Sequence, residues 1–208
     1  FTFPKSLYAV HDCLKHSIRE KKDALVIDFF SGSGTTLHAV NLLNAEDGGH
    51  RRCIMVTNNE VSADEAKMLK DKGCQPGDAE WEKLGIAHYV TWPRTVCSIE
   101  GHDVNGNPLK GDYLGSEPPM HMADGFKANA AFFKLSFLDS TAVSLGMGFS
   151  EMLPTLWLKA GAKGKCPELS SEQIPDMLIL PENKFAVLIN ENAFASFVEK
   201  LAEHPEVQ

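Results

Sequence analysis

The residues best suited to chemistry are Asp28-Phe29-Phe30-Ser31-Gly32-Ser33-Gly34-Thr35-Thr36, directly after the apolar run Ala24 to Ile27. They read as a strand, a glycine loop and a helix start. Gly32 and Gly34 let the backbone turn sharply and approach a ligand where a side chain would block it, and the helix behind them opens with unpaired N–H groups. A Gly-x-Gly alone is a weak signal, because a purely structural strand-to-helix turn uses the same residues. Two common ligands of such loops fit poorly. A phosphate-binding P-loop needs a Lys and then Ser or Thr after its last glycine, where this chain has Thr35 and Thr36. The dinucleotide fingerprint needs a third glycine where Leu37 stands. A zwitterionic cofactor suits the loop better.

The elements that must position this loop are legible on both sides of it. Upstream, Pro4 and Ser6 mark a helix beginning, and Leu7, Val10, Leu14 and Ile18 fall on one stripe. Downstream, Cys53 to Thr57 reads as a second parallel strand ending at Asn58-Asn59-Glu60, and Ser62 with Glu65 makes a capping box for a following helix.

The glycine-loop stretch, with Phe3-Pro4-Lys5-Ser6-Leu7-Tyr8-Ala9-Val10 before it, resembles the β-class S-adenosylmethionine-dependent DNA amino-methyltransferases, including the modification subunits of type III restriction systems. The resemblance implies an α/β, Rossmann-like half-domain. It implies S-adenosylmethionine as the cofactor, held by Phe3, Pro4, Lys5, Ser6, Asp28, Phe29, Phe30, Ser31, Gly32, Gly34, Thr35 and Thr36. Glu60, with Asn58 and Asn59 as substitutes, is the expected acceptor for the ribose hydroxyls. The implied reaction is methyl transfer to the exocyclic amino group of a flipped base, adenine in the first instance, by direct attack of the amino nitrogen. DNA, a restriction (nuclease-helicase) subunit and a second copy of the chain are the implied partners.

One part of the family pattern is missing. These enzymes hold the extruded base with a polar residue, Pro-Pro and an aromatic. The nearest tetrapeptide, Glu117-Pro118-Pro119-Met120, lacks the aromatic and follows no apolar strand, so it reads as a loop. No catalytic residue is assigned. We expect a fragment that begins after the catalytic half and the target-recognition region, predicted inactive by itself. Gly125-Phe126 through Phe132-Phe133-Lys134-Leu135 looks like the family's third strand, with Asp139 an acidic turn residue behind it.

Composition agrees with a globular chain. Of 208 residues, 43% are apolar and 23% charged, enough for a true core. Twenty basic against twenty-eight acidic residues give a net charge of −8, so this chain alone should bind DNA poorly. His50-Arg51-Arg52 reads as a solvated strand entry. Arg94 is the best single candidate for a phosphate contact, with a helix start at Pro93 as the plainer reading.

The five cysteines are scattered, and no charged-then-apolar leader or membrane-length apolar run occurs, which points to a reducing cytoplasm and no membrane partner. His11, Cys13 and His16 lack a fourth ligand, so no metal is expected.

Short helices are expected over 78–84 and 92–100, with a loop-rich insertion over 101–125 containing a tight Asn105-Gly106 hairpin. We expect a methyltransferase core over 1–140 and an appendage over 141–208. That appendage holds a helix through Phe149 and Trp157, a linker, and a small β-β-α unit ending in a helix over 191–203, truncated at its end. Two other functions use the same residues: a non-catalytic methyltransferase-like binding module, and a methyltransferase of another substrate class.

Overall fold

The computed structural model describes residues 4–144, 148–169 and 174–207. It mixes helices with small sheets, an α/β chain, and divides into two compact units, Phe1–Phe133 and Lys134–Gln208.

The first unit starts with α1 (Leu7–Ile18), which follows Ser6 in extended backbone and half-buries the expected Leu7, Val10, Leu14 and Ile18 stripe. Then come β1 (Leu25–Asp28), α2 (Thr35–Asp47) and β2 (Arg52–Met55). β1 and β2 pair in parallel, Leu25 opposite Arg52 and Asp28 opposite Met55, with α2 as the crossover between them. α2 buries Ala39, Val40, Leu42 and Leu43, the densest part of the core. Along both strands alternate residues stay open: Leu25, Ile27, Ile54 and Val56 are each close to half exposed. A parallel sheet is ordinarily covered on both faces. Here one apolar face is bare.

Arg51 departs from the expected solvated strand entry. Its side chain is fully buried and donates to both carboxylate oxygens of Asp47 at 2.9 Å, to Ile18 O and to Arg19 O. One guanidinium thereby ties the end of α1 to the end of α2 at the entry to β2. The α1–α2 seam is closed further along by Lys15 Nζ, 2.8 Å from Glu46 Oε2. His11 is buried there with Nε2 3.2 Å from Glu46 Oε1.

α3 (Ala63–Asp71) follows Ser62, whose hydroxyl accepts from the Glu65 N–H and donates to the Glu65 carboxylate, a variant of the expected box. α4 (Ala79–Leu84) leads through a wide turn over Ala87–Thr91 into α5 (Trp92–Glu100). The insertion forms the expected turn at Asn105-Gly106, held by the Asp103 carboxylate, and then the hairpin β3 (Asp112–Tyr113) and β4 (Met120–His121). It is part of the core: Tyr113 and Phe126 pack with Leu42, against Leu7 and Tyr8.

The expected third strand does not form. Phe126 is buried and its N–H donates to Ile99 O, but residues 127–139 carry no strand and are mostly exposed. A strand needs a neighbouring backbone to complete its ladder and a face to bury. Among the described residues no ladder forms along this segment; Phe132 meets the His88 and Trp92 rings, while Leu135 and Phe137 stand fully in solvent.

The second unit contains α6 (Ser140–Ser144), α7 (Phe149–Lys159), β5 (Met177–Leu180), β6 (Phe185–Leu188) and α8 (Phe194–Ala202). β5 and β6 form the expected antiparallel pair. Leu153 and Trp157 of α7 are buried, and Trp157 Nε1 donates to Lys163 O at 2.8 Å. α8 half-buries Phe197 and Leu201, while Phe194 and Val198 remain exposed. No helix among the described residues is long and apolar enough to cross a membrane.

Candidate functional site

The glycine loop leaves the carboxyl end of β1 and is stitched to the end of β2. Val56 N–H donates to Asp28 O at 2.8 Å, and Ser31 N–H donates back to Val56 O at 3.2 Å. Ligands of open α/β sheets gather at this edge, outside the carboxyl ends of the strands. The Asp28 carboxylate organises the turn, accepting from the Thr36 hydroxyl at 2.5 Å and from Phe30 N–H at 3.1 Å. Gly32 and Gly34 both have positive φ, 51° and 76°. Gly34 is also a point of close approach: a Cβ there would stand 3.1 Å from Thr91 Cγ2.

One side of the loop is covered. Ser33 and Thr35 are buried, and their side-chain oxygens lie 3.2 Å apart. Arg94 Nη1 donates to Ser33 Oγ at 3.1 Å, Thr35 Oγ1 at 3.0 Å and Ser33 O at 3.4 Å. Thr91 Oγ1 donates to Gly32 O at 2.5 Å. Arg94 is therefore not the solvent-facing phosphate contact its sequence position suggested. Burial draws its pKa down from the ordinary value, yet a guanidinium starts high enough to stay charged.

Further along α2, His38 Nε2 lies 2.9 Å from the Tyr113 hydroxyl, and its ring meets Tyr113 and Phe126 edge-on. Burial, aided by the Arg94 charge, lowers the His38 pKa to about 4, so the ring is neutral at neutral pH. Burial likewise pushes Tyr113 up to about 12, and burial with the Asp28 charge pushes the Cys53 thiol up to about 12. Neither is an ionised nucleophile at neutral pH.

The other expected residues are placed as follows. Phe29 and Phe30 are exposed, Phe30 by 85%. Ser31 is buried, and its hydroxyl has no hydrogen-bond partner among the described residues. Pro4, Lys5 and Ser6 are exposed at the start of α1, and Phe3 lies outside the described residues.

Asn58 and Glu60 are exposed beyond β2, with Glu60 O accepting from Ile86 N–H at 2.8 Å. Asn59 differs from both. Its Nδ2 donates to Glu82 O and Glu82 Oε2, and its Oδ1 accepts from the Ala87 and His88 N–H groups. Gly85 has to be a glycine beside it, since a Cβ there would fall 2.1 Å from Asn59 Oδ1. The structure thus brings Asp28 to Thr36 together with Asn58 to Glu60 at one strand edge.

Sequence reasoning missed the Asn59 clamp and the part played by Thr91. Neither carries a local signal, since each acts on residues distant in the chain. Among the described residues no group of three or more His, Cys, Asp or Glu side chains is arranged to hold a metal ion.

Comparison with known proteins bears on the same residues. The family model for DNA methylases matches residues 1–73, from the segment before α1 through the glycine loop to the end of α3. The StyLTI Mod subunit of a type III restriction-modification enzyme from Salmonella typhimurium is 49% identical over 189 residues, covering 77% of this chain and 27% of the relative. The EcoPI Mod subunit of Escherichia phage P1 is 48% identical over 61 residues, 29% of this chain and 9% of that protein. The type II methyltransferase M.KpnI of Klebsiella pneumoniae is 44% identical over 59 residues, 28% of this chain and 14% of that protein. The chain thus spans about a quarter, or less, of the length of these relatives. The resemblance read from the motifs holds across residues 1–73, and the chain is a relative of DNA methyltransferases similar to the Mod subunits of type III restriction-modification enzymes.

Proposed function

We propose that this chain carries the S-adenosylmethionine-binding part of a Rossmann-like DNA amino-methyltransferase that modifies adenine in a restriction-modification system. The observation that carries the reading is the left-handed Gly32–Gly34 turn. It lies between the Asp28 end of a parallel strand and the first turn of α2, within the segment matched to DNA methylases.

The residues present fit such a cofactor. Gly32 leaves part of its backbone open in place of a side chain, the buried Ser31 hydroxyl has a lone pair and a proton uncommitted, and Phe29 and Phe30 offer flat apolar surface beside them. Asp28 holds the turn and the start of α2 in register. The N–H groups at that helix start favour a carboxylate, and the exposed Glu60, with Asn58, suits a pair of ribose hydroxyls. When bound, S-adenosylmethionine supplies an electrophilic methyl group.

The base-holding Pro-Pro-aromatic motif is not among these residues: Glu117-Pro118-Pro119 ends the connection between β3 and β4, and Met120 opens β4 opposite Tyr113. We therefore place the acceptor site and the DNA-binding surface in sequence outside this chain. In this reading a restriction subunit is a partner of the whole enzyme, and the cell compartment is the cytoplasm where its DNA substrate lies.

Calorimetric titration with S-adenosylhomocysteine tests the reading. We expect saturable one-to-one binding by the wild-type chain. Glu60→Gln should lose about 1.5 to 3 kcal/mol, the scale of a hydrogen bond to a charged acceptor. A larger loss at Asn58→Ala than at Glu60→Gln would move the ribose site to the earlier residue. Absence of binding by a folded wild-type chain would remove the cofactor reading. Transfer of labelled methyl to DNA by the isolated chain would instead show an acceptor site within it.

A further inference from the structure

The turn entering α5 meets the glycine loop through two side chains that the cofactor reading does not use. Thr91 and Arg94 lie about sixty residues beyond the loop in sequence, yet together they engage every residue from Gly32 to Thr35. Thr91 holds the Gly32 carbonyl through its hydroxyl and lies against Gly34 through its methyl group, so the left-handed turn is fixed at both glycines by one residue. The same hydroxyl also lies 3.1 Å from Ile86 O, and its one proton goes to the nearer Gly32 carbonyl.

Arg94 spreads one guanidinium nitrogen over Ser33 Oγ, Ser33 O and Thr35 Oγ1. Its placement is unusual for a residue that only stabilises the fold. No ion pair to a carboxylate is recorded for it among the described residues, and it sits at the N-terminal end of α2, where a cation is opposed by the helix dipole. An arginine that is half-buried, unpaired and at the wrong end of a helix is weak support for stability. It is support for geometry, because its single Nη1 serves three oxygens of Ser33 and Thr35 at once.

We propose that Thr91 and Arg94 are positioning residues for the cofactor loop: they clamp Gly32 to Thr35 in the turn that binds S-adenosylmethionine, so that affinity depends on two side chains of the α5 entry that act through the loop. This rests on the reading of the loop as the cofactor site. It adds that residues outside the glycine motif, beyond the segment matched to DNA methylases, set the competence of that motif.

The test combines calorimetry with S-adenosylhomocysteine, thermal melting, and amide exchange followed by mass spectrometry on peptides spanning 29–36 and 7–18. The Gly34 N–H, bonded to Ser31 O at 2.9 Å, reports the turn directly. Thr91→Val keeps the shape and removes the hydroxyl, and Arg94→Met removes the Nη1 donor and its charge. Each is expected to weaken binding about tenfold, which is about 1.4 kcal/mol. Each should also speed exchange in 29–36 while leaving 7–18 unchanged, and Thr91→Ser, which returns the hydroxyl without the methyl beside Gly34, should recover part of the lost affinity and protection. If Thr91→Val does not fold, Arg94→Lys takes its place. It keeps a charged donor on a shorter side chain and should fall between wild type and Arg94→Met.

Wild-type affinity and exchange in the folded variants would overturn the proposal. So would a uniform rise in exchange across both peptides with no rescue by serine, which marks ordinary packing. If the wild type binds no S-adenosylhomocysteine, the cofactor reading falls and exchange alone decides the clamp. Local acceleration in 29–36 supports it, and unchanged exchange overturns it.

Discussion

Gly34 shows how one position carries two demands. Its φ of 76° disfavours any side chain, and a Cβ there would crowd the methyl group of Thr91 at 3.1 Å. We expect Gly34→Ala to cost about 1 to 2 kcal/mol of stability from the left-handed backbone alone, measured by urea denaturation, and to weaken cofactor binding with it. Stability equal to wild type would show that the turn relaxes freely. His38 makes a pH prediction. Its folded pKa is lowered from 6.5 to about 4, so the unfolded chain binds this proton first as pH falls. Its contribution is fully present above about pH 6.5 and is lost progressively towards pH 4, amounting to about 3 kcal/mol. Denaturation curves at several pH values should show that slope, and His38→Gln should flatten it.

At the scale of elements, Arg51 joins α1, α2 and the entry to β2. Its partners are a carboxylate from α2 and two carbonyls at the end of α1. Removing it leaves all of them under-satisfied in a buried place, so Arg51→Met should cost about 3 kcal/mol. Arg51→Lys should recover only part, because one ammonium cannot serve three sites. The pairing also holds the Asp47 carboxyl below its ordinary 3.8. This part of the stability is present above that pH and is lost as pH falls through the lowered value. Melting temperatures of wild type and Arg51→Met should therefore converge in strong acid. Parallel curves at all pH values would contradict the pairing.

At the scale of the molecule, the first unit leaves apolar surface uncovered. Leu25, Ile27, Ile54 and Val56 lie on a parallel two-stranded sheet, and Phe29 and Phe30 stand at its end. A contiguous apolar patch of this kind drives association when nothing covers it. We expect sedimentation velocity of the isolated chain to show concentration-dependent self-association, reduced by Ile27→Thr with Ile54→Thr. A monomer at every concentration would refute this. The net charge of −8 acts in the opposite sense at long range, working against self-association and against binding to DNA phosphates.

The sequence by itself determined what depends on near neighbours. The glycine turn, the capped start of α3, the helix over Trp92–Glu100 and the Asn105-Gly106 turn all follow from residue types within a few positions of one another, since φ preference, capping and periodicity are local properties. The motif order of the first 73 residues was legible for the same reason. What only the tertiary structure decided is which distant groups share a bond. The Arg51 sequence suggested a surface cation, and three separate carbonyl and carboxylate partners made it a buried joint. Asn59 suggested a ligand acceptor and is committed to Glu82 and the turn after Gly85. The aromatic run at 132–135 had the composition of a strand and lacks the neighbouring ladder that would make it one. Hydrogen bonds and ladders are pairwise and long-range, so the residue at one end of the bond cannot specify them alone.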